Sequence, residues 1–245
     1  MAQEQMQLSY PSFTKEDTTR VRTLIRLGIA QLPRNTDSAV GSFQEALNLS
    51  RATGFEDGIG YALAFMGAAV MDRGEYEKGM ALYREAIPYC RKAQYIRNAL
   101  PSLYINMGGS YFQSGEFAKA NEYYYSALKY LRQYLPHNDN IATVYNNLAT
   151  VQLEMGQYRQ ALLYADQAEQ IAKQKKVPIL VGSALVNKGT GYNKLGMRDS
   201  ALYCYTKALE LGRKEGFVDM QQAALTCIGD QMLLNDKNRE AVRYY

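Results

Sequence analysis

The chain has 245 residues, 47% of them hydrophobic, with 28 Lys and Arg against 24 Asp and Glu for a formal charge of +4. No stretch approaches the roughly 18 consecutive apolar residues that a membrane-spanning helix needs, and the basic residues are scattered, so neither membrane insertion nor nucleic-acid binding is expected. The three cysteines, Cys90, Cys204 and Cys227, lack the close spacing of a metal site and cannot all pair among themselves, which points to free thiols in a reducing compartment.

Residues 1–20 lead into a first helix, and the opening Met-Ala-Gln-Glu-Gln has neither the basic nor the apolar region of a secretory signal. A cytoplasmic setting is expected, with a periplasmic one as the alternative if a signal peptide has been removed. From Val21 onward the sequence repeats itself. A small residue recurs at Gly28, Gly67, Gly108, Ala149, Gly189 and Gly229, at steps of 39, 41, 41, 40 and 40. A second series, Ala39, Gly79, Ala120, Ala161, Ala201 and Ala241, and a third, Ala46, Ala86, Ala127, Ala168 and Ala208, keep nearly the same step. Between them sits an aromatic at Phe43, Tyr83, Tyr124, Tyr205 and Tyr245, with Ala165 as the exception. The units fall near 21–59, 60–100, 101–141, 142–181, 182–221 and 222–245, in one domain that covers 21–245.

Each unit reads as two helices. The first lacks a glycine turn, carrying Pro33-Arg34-Asn35 instead, with Thr36 or Asp37 as the expected N-cap of its second helix. In the third, Tyr104, Met107, Gly108 and Tyr111 recur at helical spacing, Ser114-Gly115 breaks the helix, and Phe117, Ala120, Tyr124, Ala127 and Leu128 share one face of the next. Small residues on one helix opposite aromatics on the following one make a knob-and-hollow contact. The turn glycine returns at Gly74, Gly156 and Gly196. Gly54-Phe55 and Gly216-Phe217 close two of the second helices, and Pro136 and Pro178 mark the corresponding turns in two others. In the fifth unit Lys188 replaces the apolar residue before Gly189, which predicts a packed stem, an ammonium reaching water and a looser unit. In the sixth, Tyr245 falls midway through the second helix, so an uncapped packing face and a homodimer through that end are expected.

The segment "NMGGSYFQSGEFAKANEYYYSAL" resembles a tetratricopeptide repeat, whose pattern is W-x2-L-G-x2-Y, a Gly turn, then A-x3-F-x2-A. HEAT and armadillo arrays have a comparable period without this spacing of small and aromatic residues. The step near 40 exceeds the usual repeat of about 34 residues and is similar to the long repeats of kinesin light chains and of bacterial peptide-sensing and signalling proteins. The resemblance implies an all-α fold, a right-handed α-α superhelix of five complete helix pairs plus a truncated sixth. It also implies a module that binds a protein or extended peptide, without catalysis or cofactor. "RDSALYCYTKALELG" looks like repeats that precede output regions in bacterial regulators, which implies the sensing or scaffold segment of a larger signalling protein. The alternative is a self-associating structural scaffold with no regulatory ligand.

No constellation for catalysis is visible. The single histidine, His137, lies in the turn Leu135-Pro136-His137-Asn138-Asp139, and no glycine loop joins a strand to a helix. The 21 tyrosines fall at packing positions or on second helices, which reads better as core than as a stacking platform for RNA.

In the family, the first-helix stripe opposite the buried one lines a concave groove. Carried over, it is Ser102, Asn106, Gly109 and Gln113 in the third unit, Thr143, Asn147, Thr150 and Glu154 in the fourth, and Ser183, Asn187, Thr190 and Lys194 in the fifth. Asn106, Asn147 and Asn187 then hold one equivalent site, where an amide can both donate to and accept from a ligand backbone. The alternative is an exposed polar face with no such task. Tyr61, Met71, Ile105, Phe112 and Leu153 are the apolar neighbours expected to receive ligand side chains. Arg22 and Arg26, four residues apart, either meet an acidic group or stay solvated.

Overall fold

The computed structural model describes residues 15–92 and 99–233, which form eleven helices and no strand among the described residues. They fall into two compact units, Met1–Ser110 and Tyr111–Tyr245. The first holds α1 (Lys15–Gln31), α2 (Thr36–Thr53), α3 (Glu56–Asp72), α4 (Tyr76–Lys92) and most of α5 (Ala99–Gln113). The second holds the end of α5, then α6 (Phe117–Tyr134), α7 (Asn140–Glu154), α8 (Tyr158–Lys175), α9 (Pro178–Lys194), α10 (Arg198–Glu215) and α11 (Val218–Leu233). The expected Ala241 and Tyr245 of the sixth repeat, and the dimer contact built on them, lie outside the described residues.

The helix pairs are set by short turns. Gly74, Gly115, Gly156 and Gly196 all adopt positive φ, between 73° and 80°, where a side chain would be strained. At the first of these, Gly74 donates its N–H to the Met71 carbonyl at 2.8 Å and Glu75 to that of Val70 at 3.0 Å, so the helix carbonyls are satisfied as α3 ends. Gly54 and Gly216 end α2 and α10 in the same left-handed conformation, as expected. The Pro178 turn differs. There the chain reverses at Lys176, a non-glycine residue at φ 56°, and Pro178 opens α9, where its missing N–H costs nothing. In the first repeat the cap of α2 is Asn35, one residue before the expected pair. Its backbone is extended and its side-chain oxygen accepts from Ser38 N at 2.9 Å, leaving Thr36 and Asp37 inside the first turn.

The knob-and-hollow contact is present in both units. A Cβ added at Gly67 would lie 2.6 Å from the Tyr83 ring, and one at Gly28 or Gly189 would collide with Phe43 or Tyr205 in the same way. Phe43, Tyr83 and Tyr205 are buried, and so are Ala39, Ala46, Ala86, Ala120, Ala127, Ala161, Ala168, Ala201 and Ala208. Burying a large side chain of this kind is worth about 1.5–3 kcal/mol. The hollow therefore both admits the ring and fixes how far apart the helices sit. In the fourth repeat, where Ala165 replaces the ring, it is fully buried, and Tyr164 beside it packs at a tilt against Tyr145 at 6.0 Å.

From α1 to α4 in the first unit and from α6 to α11 in the second, each helix packs on the next, and first helices of successive repeats also touch: α1 with α3 in the first unit, α7 with α9 and α9 with α11 in the second. Within a unit, one layer is thus made of first helices alone, and its outer stripe is the expected binding face.

The expectation for Lys188 is corrected. Its ammonium does not reach out to water but is held at 2.8 Å by Asp166 and 2.9 Å by Glu169, both on α8, while Lys173 binds Glu169 from the other side at 2.5 Å. The fifth repeat is tied to the fourth by charge at this point rather than loosened.

Candidate binding face of the first helices

In the first unit α3 carries Gly60, Ala62, Ala64, Gly67, Ala68 and Ala69, so little side chain stands between it and its neighbours. The outcome is a cleft of about 260 Å³ lined by Tyr61, Ala64, Phe65 and Ala68 of α3 and Ala99, Ser102, Leu103 and Asn106 of α5. Tyr61 and Phe65 stack at 5.8 Å between centroids, and Phe65 in turn stacks on the buried Phe43 at 5.5 Å, which holds this wall rigid. Asn106 stands at the edge. Its Nδ2 donates to Tyr83 Oη at 3.0 Å. Burial pushes the Tyr83 phenol up to about 12, so it stays neutral and keeps the amide oriented. The amide oxygen of Asn106 and its second N–H have no partner among the described residues, so both are open to an incoming backbone.

The structure thus brings together three of the expected residues, Tyr61, Ser102 and Asn106, with Phe65, Ala64 and Ala68, which were not singled out. Their spacing of three, four and seven from Tyr61 was the available signal. Ile105 is half-buried beside them. Met71 is corrected: it is buried in the core, with its Cγ over Gly79 and its sulfur accepting from Ser110 Oγ at 3.4 Å. On α1, Arg22 is half-buried and Arg26 exposed.

The second unit treats its asparagines differently. Asn187 of α9 gives its amide hydrogens to Asn146 Oδ1 at 2.9 Å, Thr150 Oγ1 at 3.1 Å and the Asn146 carbonyl at 3.2 Å, all on α7. Thr150 also donates to the Asn146 carbonyl at 3.1 Å. Asn187 and Thr150 therefore clasp two successive first helices, and Asn147 is half-buried next to that clasp. Asn187→Ala should lower the stability of this unit by about 1 kcal/mol, the typical net worth of such a bond. The check is hydrogen exchange, with faster exchange in α7 and α9; unchanged protection there would show that the clasp contributes nothing.

Of the remaining expected residues, Phe112 is half-buried and packs at a tilt on Phe117 at 5.4 Å, and Leu153 is half-buried. Gln113 and Lys194 are exposed at their helix ends. His137 is exposed in its turn, where its carbonyl accepts from Lys175 Nζ at 2.7 Å. Among the described residues no group of three or more His, Cys, Asp or Glu is placed to hold a metal ion, and no helix is long and apolar enough to cross a membrane.

Part of this array of helix pairs is also matched by sequence. Residues 99–174 fit the tetratricopeptide repeat profile. The chain has a tetratricopeptide-type repeat fold, and residues 99–174 match the family itself. Solved structures agree in fold. BtubC from P. vanneervenii superposes with a TM-score of 0.72 at 23% identity, covering 87% of this chain and 87% of that one. The quorum sensor NprR from B. thuringiensis, in its apo form, gives 0.75 at 18% identity over 92% of this chain and 63% of its own. A kinesin light chain from Podosopora anserina with nearly identical TPR-like repeats gives 0.63 at 13% identity over 80% and 96%. At these identities the likeness is one of fold. A search of curated proteins finds no match.

Proposed function

We propose that this tetratricopeptide-repeat chain is a non-catalytic receiver for an extended peptide segment, held on the first-helix face, within a larger signalling or regulatory protein of the cytoplasm. The observation that carries the reading is the cleft between α3 and α5, where an alanine floor leaves room beside a stacked aromatic wall and an amide with open donor and acceptor. Its volume of about 260 Å³ suits one or two peptide side chains rather than a drug-sized ligand, for which pockets run to about 300–1,000 Å³. The likeness in fold to a quorum sensor supports a sensing role and does not identify a ligand.

The experiment is selection of phage-displayed dodecapeptides on the whole chain, followed by calorimetric titration of the enriched peptide. Ala68→Leu fills the cleft from a half-exposed position, so it should weaken that peptide at least about tenfold, or ~1.4 kcal/mol, with little thermal shift. Failure to enrich any peptide, or an Ala68→Leu protein that binds with full affinity, would leave the self-associating scaffold ahead.

A further inference from the structure

Successive helices of the second unit run antiparallel through short turns, so α7, α9 and α11 all start at one edge, and their mutual contacts set their leading loops in a row. Lys175 shows how close the first two loops lie: its Nζ donates to the His137 carbonyl at 2.7 Å and meets Asp139 at 3.1 Å. Each loop also presents a large apolar side chain to water. Tyr134 ends α6 at 51% exposure, Ile179 is the second residue of α9 at 42%, and Val218 opens α11 at 71%. The last turns that feed these loops are basic, with Arg132 on α6, Lys173 and Lys175 on α8, and Arg213 and Lys214 on α10. Part of this charge answers the helix C-termini, where cations are favoured. Lys173, Lys175 and Lys214 each have a carboxylate beside them. Arg132, Lys176 and Arg213 are exposed and in no ion pair among the described residues, and Asp219 is the further carboxylate set against them, so the edge is net positive. Lys176 carries a second signal. It is the one non-glycine residue at positive φ among the described residues, and Gly216 makes the corresponding turn of the next repeat. Glycine would hold that turn without the Cβ penalty, so the lysine is kept against the preference of its own backbone, which points to a task for its side chain.

We propose that this loop edge of the second unit is a peripheral contact for a membrane surface rich in anionic lipid, with Arg132, Lys176 and Arg213 at the headgroups and Ile179 and Val218 at the boundary with the acyl chains. A row of loop tips meets a planar partner along its whole length. Exposed apolar side chains set among cations add burial to charge attraction, the combination that holds a protein on a bilayer it does not span. The contact uses none of the residues that line the α3–α5 cleft and stands independently of the peptide-binding reading.

The test is co-sedimentation of the whole chain with vesicles of phosphatidylcholine alone and with vesicles that also contain phosphatidylglycerol. Binding should require the anionic lipid and should weaken as KCl rises from about 50 to about 300 mM, because screening shortens from roughly 14 Å to 6 Å. Lys176→Glu/Arg213→Glu should lower it at least about tenfold, since each base near an anionic surface counts and the substitution also adds repulsion. Ile179→Ser/Val218→Ser should lower it at least about threefold through lost burial. Arg159→Glu, at the opposite end of α8, should stay within about twofold of the parent. Lys176→Gly separates the contact from the fold: it should raise the melting temperature by removing the Cβ from a left-handed turn, yet weaken vesicle binding about fivefold. Equal binding to both kinds of vesicle, or full binding by the Lys176→Glu/Arg213→Glu protein, overturns the assignment. Failure to sediment with the anionic vesicles overturns it too, and retention on a poly-glutamate resin that is lost in the same double variant would then give the edge to an acidic protein segment instead.

Discussion

Gly67→Leu should melt far below the parent, losing more than the ~1–3 kcal/mol typical of an overpacked core. The added Cβ would lie 2.6 Å from the Tyr83 ring and 3.2 Å from the Gly79 carbonyl oxygen, and neither can retreat. Tyr83 is 1% exposed and its hydroxyl is tied to Asn106, while the Gly79 carbonyl is helix backbone. Relief would require α3 and α4 to separate, which also opens the cleft wall. In a repeat array each element leans on its neighbours, so the loss should be local and the transition broader than two-state. Gly41→Ala is the control: nothing lies within 4 Å of its Cβ, and replacing a mid-helix glycine should stabilise by about 0.5–1 kcal/mol. Circular dichroism melts of the two variants decide the matter. If Gly67→Leu melts with the parent, the hollow does not set the helix spacing.

Lys188→Met should cost about 3 kcal/mol, the lower end for breaking a buried ion pair, because Asp166 is still half exposed. Its loss leaves Glu169, whose side chain is 12% exposed, with Lys173 alone. The pH dependence has a definite sign. Burial by itself would raise the Glu169 carboxyl, but hydrogen bonds from Lys173 and Lys188 outweigh it and hold the group below its ordinary 4.5. Its contribution is therefore complete above pH 4.5 and is lost as pH falls through the lowered folded value. Lys188 is the mirror case: burial would lower it, but Asp166 and Glu169 raise it above 10.5, so its contribution is complete below that pH and lost only as pH rises past it. Between these limits the two groups should give flat stability, and Lys188→Met should blunt the acid loss as well as lower the plateau. Thermal melts from neutral to acid pH check both. A variant as stable as the parent, with the same acid limb, would show the network to be inert. Replacing Lys188, Asp166 and Glu169 together by apolar residues should recover much of the loss, since no unpaired charge then stays buried.

The pairing of Lys188 also shows how far the sequence could be read. Its place before Gly189 marked it as anomalous, yet nothing in the period revealed that Asp166 and Glu169 would face it from the previous repeat. The asparagines divide for the same reason. They share one register position, but Asn106 is turned toward Tyr83 with half its amide open, whereas Asn187 is occupied by Asn146 and Thr150. A common position therefore did not mean a common task.

The sequence by itself determined the repeat, the helix pairs, the glycine turns and the match of Gly28 with Phe43, Gly67 with Tyr83 and Gly189 with Tyr205. These follow from helical periodicity, from glycine's freedom at positive φ and from side-chain size, all of which are local and recur every 40 or so residues. Only the tertiary structure decided where the first-helix face is open and where it is bonded shut, which residue caps α2, and that Met71 is core rather than groove. Those outcomes depend on fractions of an ångström in helix spacing and on which side chain of a neighbouring helix reaches a given amide or ammonium first. The periodic pattern is the same for every repeat and carries no record of either.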